Sequence, residues 1–257
     1  MSFPSVVHDV VESVRFGRAL FAEVAPPPLA AERCRYCRGL LDAAAAAPSR
    51  AHFSDPQAAV RSILGPLERG ASVEAVVLGG GGEPLRHRGI GAILRRIRTQ
   101  AHLGAVVLTN GAPLRDRDVR REAAEAGFVV VWLPALEDRS EPHDAYERAQ
   151  AFERQVETVA SLRRESPVAI GLELPVHPGL NDGPRSRAAW LRAAERIRPD
   201  RIFVVPAARA DERDLPGALE EVRAALPRGS GAFLDDGTIV DRRCFCARPS
   251  AETRAGA

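Results

Sequence analysis

The sequence contains no lysine: all 36 basic residues are arginine, set against 34 acidic residues for a formal net charge of +2. A chain without a basic excess lacks the electrostatic footprint of a nucleic-acid-binding face, so charge does not support nucleic acid as a partner. The arginines alternate with acids over residues 115–125 and 147–157, the pattern of a solvated helix face. No run reaches the roughly 18 apolar residues needed to cross a bilayer. Residues 1–18, with His8, Asp9 and Glu12, also lack the basic-then-apolar layout of a signal peptide. These absences give the expectation of a cytoplasmic protein without a membrane partner, in a compartment where thiols stay reduced. Cysteine is scarce, at four residues. In a reducing compartment four cysteines suggest metal or cluster ligation, or plain thiols, before disulfides. No Ser/His/Asp arrangement stands out, which makes a hydrolase a poor reading.

Apolar residues are plentiful, at 45% of 257, enough to bury a full core without staples. No Ser/Gly linker or low-complexity block divides the chain, so one domain over residues 1–246 is expected. The small, polar stretch 247–257 is expected to be a disordered tail. Strands are expected at 16–24, 73–78, 105–108, 128–133, 168–176 and 201–205, from short apolar runs of the kind a doubly covered parallel sheet needs. Helices fall between them. One is capped by Asp55 with Pro56 at its first position and carries Ala59, Val60, Ile63, Leu64 and Leu67 at helical spacing. Another presents Ile90, Ile93, Leu94 and Ile97, and further helices are expected at 116–126, 144–164, 185–198 and 216–226. This alternation calls for a parallel sheet, because each crossover must be long and right-handed. Open sheets and full or partial barrels fit it equally. Residues 232–240 carry a hairpin signal at Asp236-Gly237.

In parallel α/β folds, ligands collect at the carboxyl ends of the strands. Three loops there are unusual: Gly79-Gly80-Gly81-Gly82-Glu83-Pro84, Thr109-Asn110-Gly111 and His177-Pro178-Gly179-Leu180-Asn181-Asp182. Four successive glycines let a backbone approach a ligand with no Cβ in the way. The first loop is not a phosphate loop, since no Gly-Lys-Ser/Thr follows, and Glu83-Pro84 stands where a dinucleotide-binding helix would begin. A carboxylate at Glu83 suits a cationic group such as an amine; the plainer alternative is a tight turn before a helix. Cys34-Arg35-Tyr36-Cys37 is a C-x-x-C compatible with zinc, an iron–sulfur cluster or a redox pair. Cys244 and Cys246 form a second close pair that could meet the first at one rim, or all four could be unconnected thiols. Glu173 lies in an apolar strand, where it faces either the barrel interior and a ligand or a helix. The loop of His177, Asn181 and Asp182 also reads as simple turn chemistry. His87 reads as a helix-start residue, Trp132 and Trp190 as core, and His8, His52, His102 and His143 have no partner at metal spacing.

The order of these features resembles the radical S-adenosylmethionine (radical SAM) superfamily, and most closely its wyosine-synthase-like branch, over roughly residues 17–205. Gly17-Arg18-Ala19-Leu20 looks like that branch's lead-in to the cluster loop, and Cys34-Arg35-Tyr36-Cys37 like the end of C-x-x-x-C-x-x-C. Gly81-Gly82-Glu83-Pro84, with His87 beyond it, looks like the loop that receives the methionine amino group. Thr109-Asn110-Gly111 and Leu180-Asn181-Asp182 match later strand-end motifs. The resemblance implies an α/β fold, a partial parallel (β/α)6 barrel with a C-terminal hairpin extension. It also implies a 4Fe-4S cluster held by three cysteines, whose fourth iron chelates SAM, and reductive cleavage of SAM to a 5′-deoxyadenosyl radical.

The sequence departs from that pattern where the first cluster cysteine falls, because position 30 is alanine. Ala135 and Glu137 also replace a small polar residue and an aspartate. Three readings follow. Cys244 or Cys246 joins Cys34 and Cys37 on a cluster, and SAM binds, with radical chemistry and an electron donor if the chain is catalytic. Or all four cysteines close a structural four-thiolate site, zinc or iron–sulfur, on a non-catalytic binding protein. Or the barrel binds a partner or small molecule and the cysteines are incidental. Under the first reading the resemblance implies that Gly80, Gly81, Gly82, Glu83 and Pro84 seat SAM. Asn110 and Glu173 support the site, and Tyr36 shields the cluster. The substrate is not legible.

Overall fold

The computed structural model describes residues 5–13, 15–26, 50–80, 82–134 and 142–206, together with 224 and 232–234. Among the described residues the α-helices and strands run β1 (Val6–Ser13), β2 (Gly17–Glu23), α1 (Pro56–Glu68), β3 (Ala75–Leu78), α2 (Ile90–Ala101), β4 (Ala105–Thr109), α3 (Arg117–Ala123), β5 (Phe128–Trp132), α4 (Pro142–Glu165), β6 (Ala169–Val176), α5 (Pro184–Ile197), β7 (Arg201–Pro206) and β8 (Ala232–Leu234). These strands lie in one sheet in sequence order, β1 to β8. β1 is antiparallel to β2, and every later pair is parallel. The expected strands and described helices are all present.

Local chemistry sets the boundaries. Asp55 caps α1 by accepting from the Ala58 amide at 2.9 Å, with Pro56 at the first helical position, where a missing N–H costs nothing. His102 ends α2 in the left-handed region at φ 55°. β3 and β4 are buried along their whole length, which is why their sequences are apolar without alternation.

Two apolar clusters separate the faces of the sheet. The larger joins Leu20, Val76, Leu78, Val107, Val129, Val131, Leu172 and Leu174 to the helices, with Trp190 fully buried among them. The smaller contains strand residues alone: Ala19, Phe21, Ala75, Val77, Val106, Leu108, Val130, Phe203 and Val205. Strand alternation therefore puts Glu23, Asn110, Trp132 and Glu173 on the helix-free side with this second cluster.

That side is concave. In a flat sheet β2 and β7 would stand about 24 Å apart, five strand spacings. Instead the Phe16 ring, at the start of β2, meets the Phe203 ring of β7 with centroids 5.8 Å apart, edge to face. The sheet has curled into a partial barrel, floored by Phe16, Phe128 and Phe203.

Two features differ from the sequence expectation. β1 is an additional edge strand, whose register shifts between Val7 and Val10. Ala232–Leu234 adds to the sheet parallel to β7, as the next barrel strand. The turn expected at Asp236-Gly237, the helix expected at 216–226 apart from residue 224, and the tail 247–257 lie outside the described residues. Among the described residues, no helix is long and apolar enough to cross a membrane.

Candidate functional site

The carboxyl end of β3 runs directly into the glycine loop. Gly79 continues the parallel ladder, its amide donating to the Ala22 carbonyl at 3.0 Å. Gly80 then takes φ 129°, a conformation that only glycine adopts without strain. Its α-carbon faces the Glu23 side chain, so closely that a β-carbon there would lie 2.7 Å from Glu23 Oε1. Gly82 lies against the backbone at the end of β2, where a β-carbon would stand 2.2 Å from the Ala25 carbonyl oxygen and 2.3 Å from that of Pro26. Gly81 lies outside the described residues. Pro84 starts a 3-10 turn, Pro84–Arg86, that separates the loop from α2.

Glu83 is buried at 8% exposure, and its carboxylate is turned toward the next strand. Oε1 accepts from the Leu85 amide at 3.1 Å and from Thr109 Oγ1 at 2.8 Å, and Oε2 accepts from the Asn110 amide at 2.8 Å. One side chain thus caps its own turn and ties the β3 loop to the β4 loop. Burial pushes the carboxyl up to about 7, against the pull of the bonds from Asn110, Thr109 and Leu85. An acid raised from 4.5 in the unfolded chain stabilises the fold fully below pH 4.5 and loses that contribution as pH rises through about 7. His87, lowered by burial, acts in the opposite sense. The informative quantity is therefore the difference between wild type and Glu83→Gln. In denaturant titrations from pH 4.5 to 8, wild type is expected to lose about 2–3 kcal/mol relative to the variant. Parallel curves would contradict the assignment of that titration to Glu83.

Asn110 opens the β4 loop, with its side-chain oxygen accepting from the Ala112 amide at 2.9 Å. Gly111 follows at φ 78°. Gln155 of α4 reaches up to this rim, where its Nε2 donates to the Asn110 and Trp132 carbonyls, each at 2.8 Å. It fixes the ends of β4 and β5 together, although its sequence neighbourhood reads as a solvated face. Trp132 is half-buried at the end of β5 rather than in the core, whereas Trp190 is core and donates from Nε1 to the Leu133 carbonyl at 3.0 Å.

Glu173 faces the barrel interior, where Arg15 Nη1 donates to its Oε2 at 2.5 Å. The Arg15 guanidinium also lies over the rings of Phe16 and Phe203, at 5.1 and 5.9 Å from their centroids. The pair joins the β1–β2 turn to β6 across the barrel floor, below the loops.

Elsewhere the rim is turn chemistry. Asn181 is fully buried, accepts from the His177 amide at 2.7 Å and donates to the Pro175 carbonyl at 2.8 Å. Asp182 accepts from the Gly179 amide at 2.9 Å. His87 is also fully buried. Its Nδ1 accepts from the Gly89 amide at 2.8 Å, which leaves the Nε2 proton to face the Ser54 carbonyl at 3.2 Å.

Sequence reasoning assigned nothing to Glu23 and His8. Glu23 ends β2 on the concave side and is buried at 6% exposure, with its Oε1 3.0 Å from His8 Nε2. Cys34, Cys37, Cys244 and Cys246 lie outside the described residues, as do Ala30, Tyr36, Ala135 and Glu137. Among the described residues, no three His, Cys, Asp or Glu side chains gather as a metal site. What the described rim offers is acceptor oxygen: the Glu23 carboxylate beside Gly80, and the Ala25 and Pro26 carbonyls against Gly82. That acceptor set fits an ammonium group, whose N–H groups all donate.

Fold and rim together define a partial β/α barrel whose glycine loop and polar strand ends crowd one mouth. The Radical SAM superfamily profile matches residues 28–190. The chain belongs to the radical SAM superfamily, which implies SAM and typically a 4Fe-4S cluster. A radical SAM methyltransferase from Sphaerobacter thermophilus has a similar fold, with a TM-score of 0.57 at 13% identity, over 90% of this chain and 76% of that one. A GTPase Obg from Brachyspira hyodysenteriae is 22% identical over 216 residues, 84% of this chain and 32% of that protein. The chain therefore spans about a third of the length of this curated relative, and it has none of the lysine that a GTPase phosphate loop requires.

Proposed function

We propose that this chain is an iron–sulfur protein that binds SAM at the mouth of its barrel and cleaves it reductively. Cys34 and Cys37 hold the cluster together with Cys244 or Cys246, in place of the cysteine that Ala30 lacks. The loop of Gly80, Gly81, Gly82, Glu83 and Pro84 seats the amino group, chiefly through backbone. Glu83 and Asn110 hold that loop in register with β4, and Glu173 braces the floor. A cluster with SAM bound supplies a carbon radical able to take a hydrogen atom from an unreactive C–H bond, given an external one-electron donor. The observation that carries the reading is the glycine loop at the end of β3, pinned by Glu83 to Thr109 and Asn110 in a chain of this superfamily. The order of the motifs supports placing the chain near the wyosine-synthase-like branch, from whose cysteine pattern this chain diverges at Ala30.

Ala30 favours a second reading, a closed four-thiolate site holding zinc or iron–sulfur on a binding protein. Anaerobic purification followed by iron, sulfide and zinc analysis separates the two. The proposal expects about four irons and four sulfides per chain. It also expects near-complete loss of both in Cys34→Ala and in the Cys244→Ala/Cys246→Ala double variant. One zinc per chain supports the closed site instead. Iron retained in the double variant rules out a ligand from the tail.

A further inference from the structure

Three carboxylates belong to the concave side, one toward the floor and two at the mouth, and they are engaged differently. Glu173 faces a guanidinium at the floor. Glu83 is turned into its own loop and the β4 end, where three donors hold it. Glu23 stands at the end of β2, against Gly80, beside an imidazole. Gly80 has no side chain to cover Glu23, and its φ of 129° brings the loop backbone onto the carboxylate. The next two residues past Val24 direct their carbonyl oxygens at the same loop, against Gly82. One segment, residues 23–26, therefore turns a carboxylate and two carbonyl oxygens toward the glycine loop.

We propose that Glu23, positioned by His8, is the carboxylate that receives the primary ammonium group of the bound ligand beside the glycine loop. The proposal rests on the SAM-binding reading and deepens it by moving the charged contact from the loop's own glutamate to the preceding strand. An ammonium suits the site because its three N–H donors can be shared between a carboxylate and backbone carbonyls. A bare divalent ion suits it less, since no three ligating side chains meet among the described residues. The sequence hides Glu23 because a single glutamate in F-A-E-V has no motif. Its role follows only once β2 and β3 are paired in parallel through Ala22 and Leu78, which carries Glu23 to the glycine loop and against Gly80.

The test is calorimetric titration of the full chain with S-adenosylhomocysteine and with its analogue in which hydrogen replaces the α-amino group. Wild type is expected to prefer the amine by about tenfold or more, the scale of a charge-assisted hydrogen bond. Glu23→Gln is expected to weaken S-adenosylhomocysteine about 10–100-fold while leaving the deamino analogue within about twofold, so that the preference collapses. Glu23→Asp, which keeps the charge but withdraws it by one methylene, is expected to fall between. It also serves as the test if the glutamine variant fails to fold. His8→Gln is expected to lose part of the preference. A preference undiminished in Glu23→Gln, or undiminished in Glu23→Asp where the glutamine variant fails to fold, overturns the proposal and leaves the SAM reading intact. Equal loss of both ligands also overturns it, since that marks a structural role. Wild type that binds neither ligand overturns both.

Discussion

Gly82→Ala is expected to lower the melting temperature of the full chain by roughly 5–10 °C, from an overpacking cost of about 2–3 kcal/mol. The added carbon would lie 2.2 and 2.3 Å from the carbonyl oxygens of Ala25 and Pro26. These are backbone atoms at the end of a buried strand and cannot rotate away as a side-chain tip can. The loop must therefore lift off β2, and Glu83, the next residue, must move with it. Its bonds to Thr109 and Asn110 are 2.8 Å in the native structure, with no slack to absorb such a shift. Loss of ligand binding should accompany the loss of stability. Gly65→Ala is the control. It lies in α1 and meets only the tip of the Arg69 side chain, at 3.2 Å. It should be neutral or stabilising by up to about 1 kcal/mol, because alanine is the better helix former. Equal melting of Gly82→Ala and wild type would show that the loop is not pressed against β2.

Glu173→Leu is expected to cost about 2–3 kcal/mol, the penalty for removing one hydrogen-bonded partner of a buried charge. The Arg15 side chain is 5% exposed and that of Glu173 12%, so water cannot replace the carboxylate. Arg15→Met combined with Glu173→Leu should recover to within about 1–2 kcal/mol of wild type, because paired buried charges exchange well for apolar residues of similar size. Methionine can also keep contact with the rings of Phe16 and Phe203. Urea denaturation of both single variants and the double closes the cycle. Equal effects for the single and double substitutions would mean that the two side chains do not act as a pair. The same cycle separates a floor brace from a ligand contact: a brace moves stability, and a contact moves affinity alone.

The barrel was legible because its strands are buried on both faces. Runs such as Ala75–Leu78 and Ala105–Thr109 are continuous in burial and sequence alike. Each is followed by glycine or a polar turn, which marks the ligand end. β1 was not legible because its register shift between Val7 and Val10 breaks the two-residue alternation that identifies an edge strand. Val-Val-His-Asp-Val-Val then shows neither strand nor helix period. The glycine loop stood out, but the role of Glu83 did not. Besides the Leu85 amide its partners are 26 and 27 residues away, at the end of a strand that becomes a neighbour only in the fold. The Arg15–Glu173 pair spans 158 residues and has no local signature at all. Gln155 is hidden differently, since it sits on a charged helix whose outer face dominates the pattern, while it turns inward to two carbonyls. Strand-end residues such as Glu23 gain meaning only from parity. Once Ala19 and Phe21 are known to line the concave face, residue 23 must do so as well.

The most direct measurement is anaerobic reduction of the iron-reconstituted chain with excess SAM, followed by chromatography for 5′-deoxyadenosine and methionine. Both products are expected in equal amounts, together with their loss in Cys34→Ala and a strong reduction in Gly82→Ala. Protein carrying a full complement of iron and sulfide that leaves SAM intact would contradict the account.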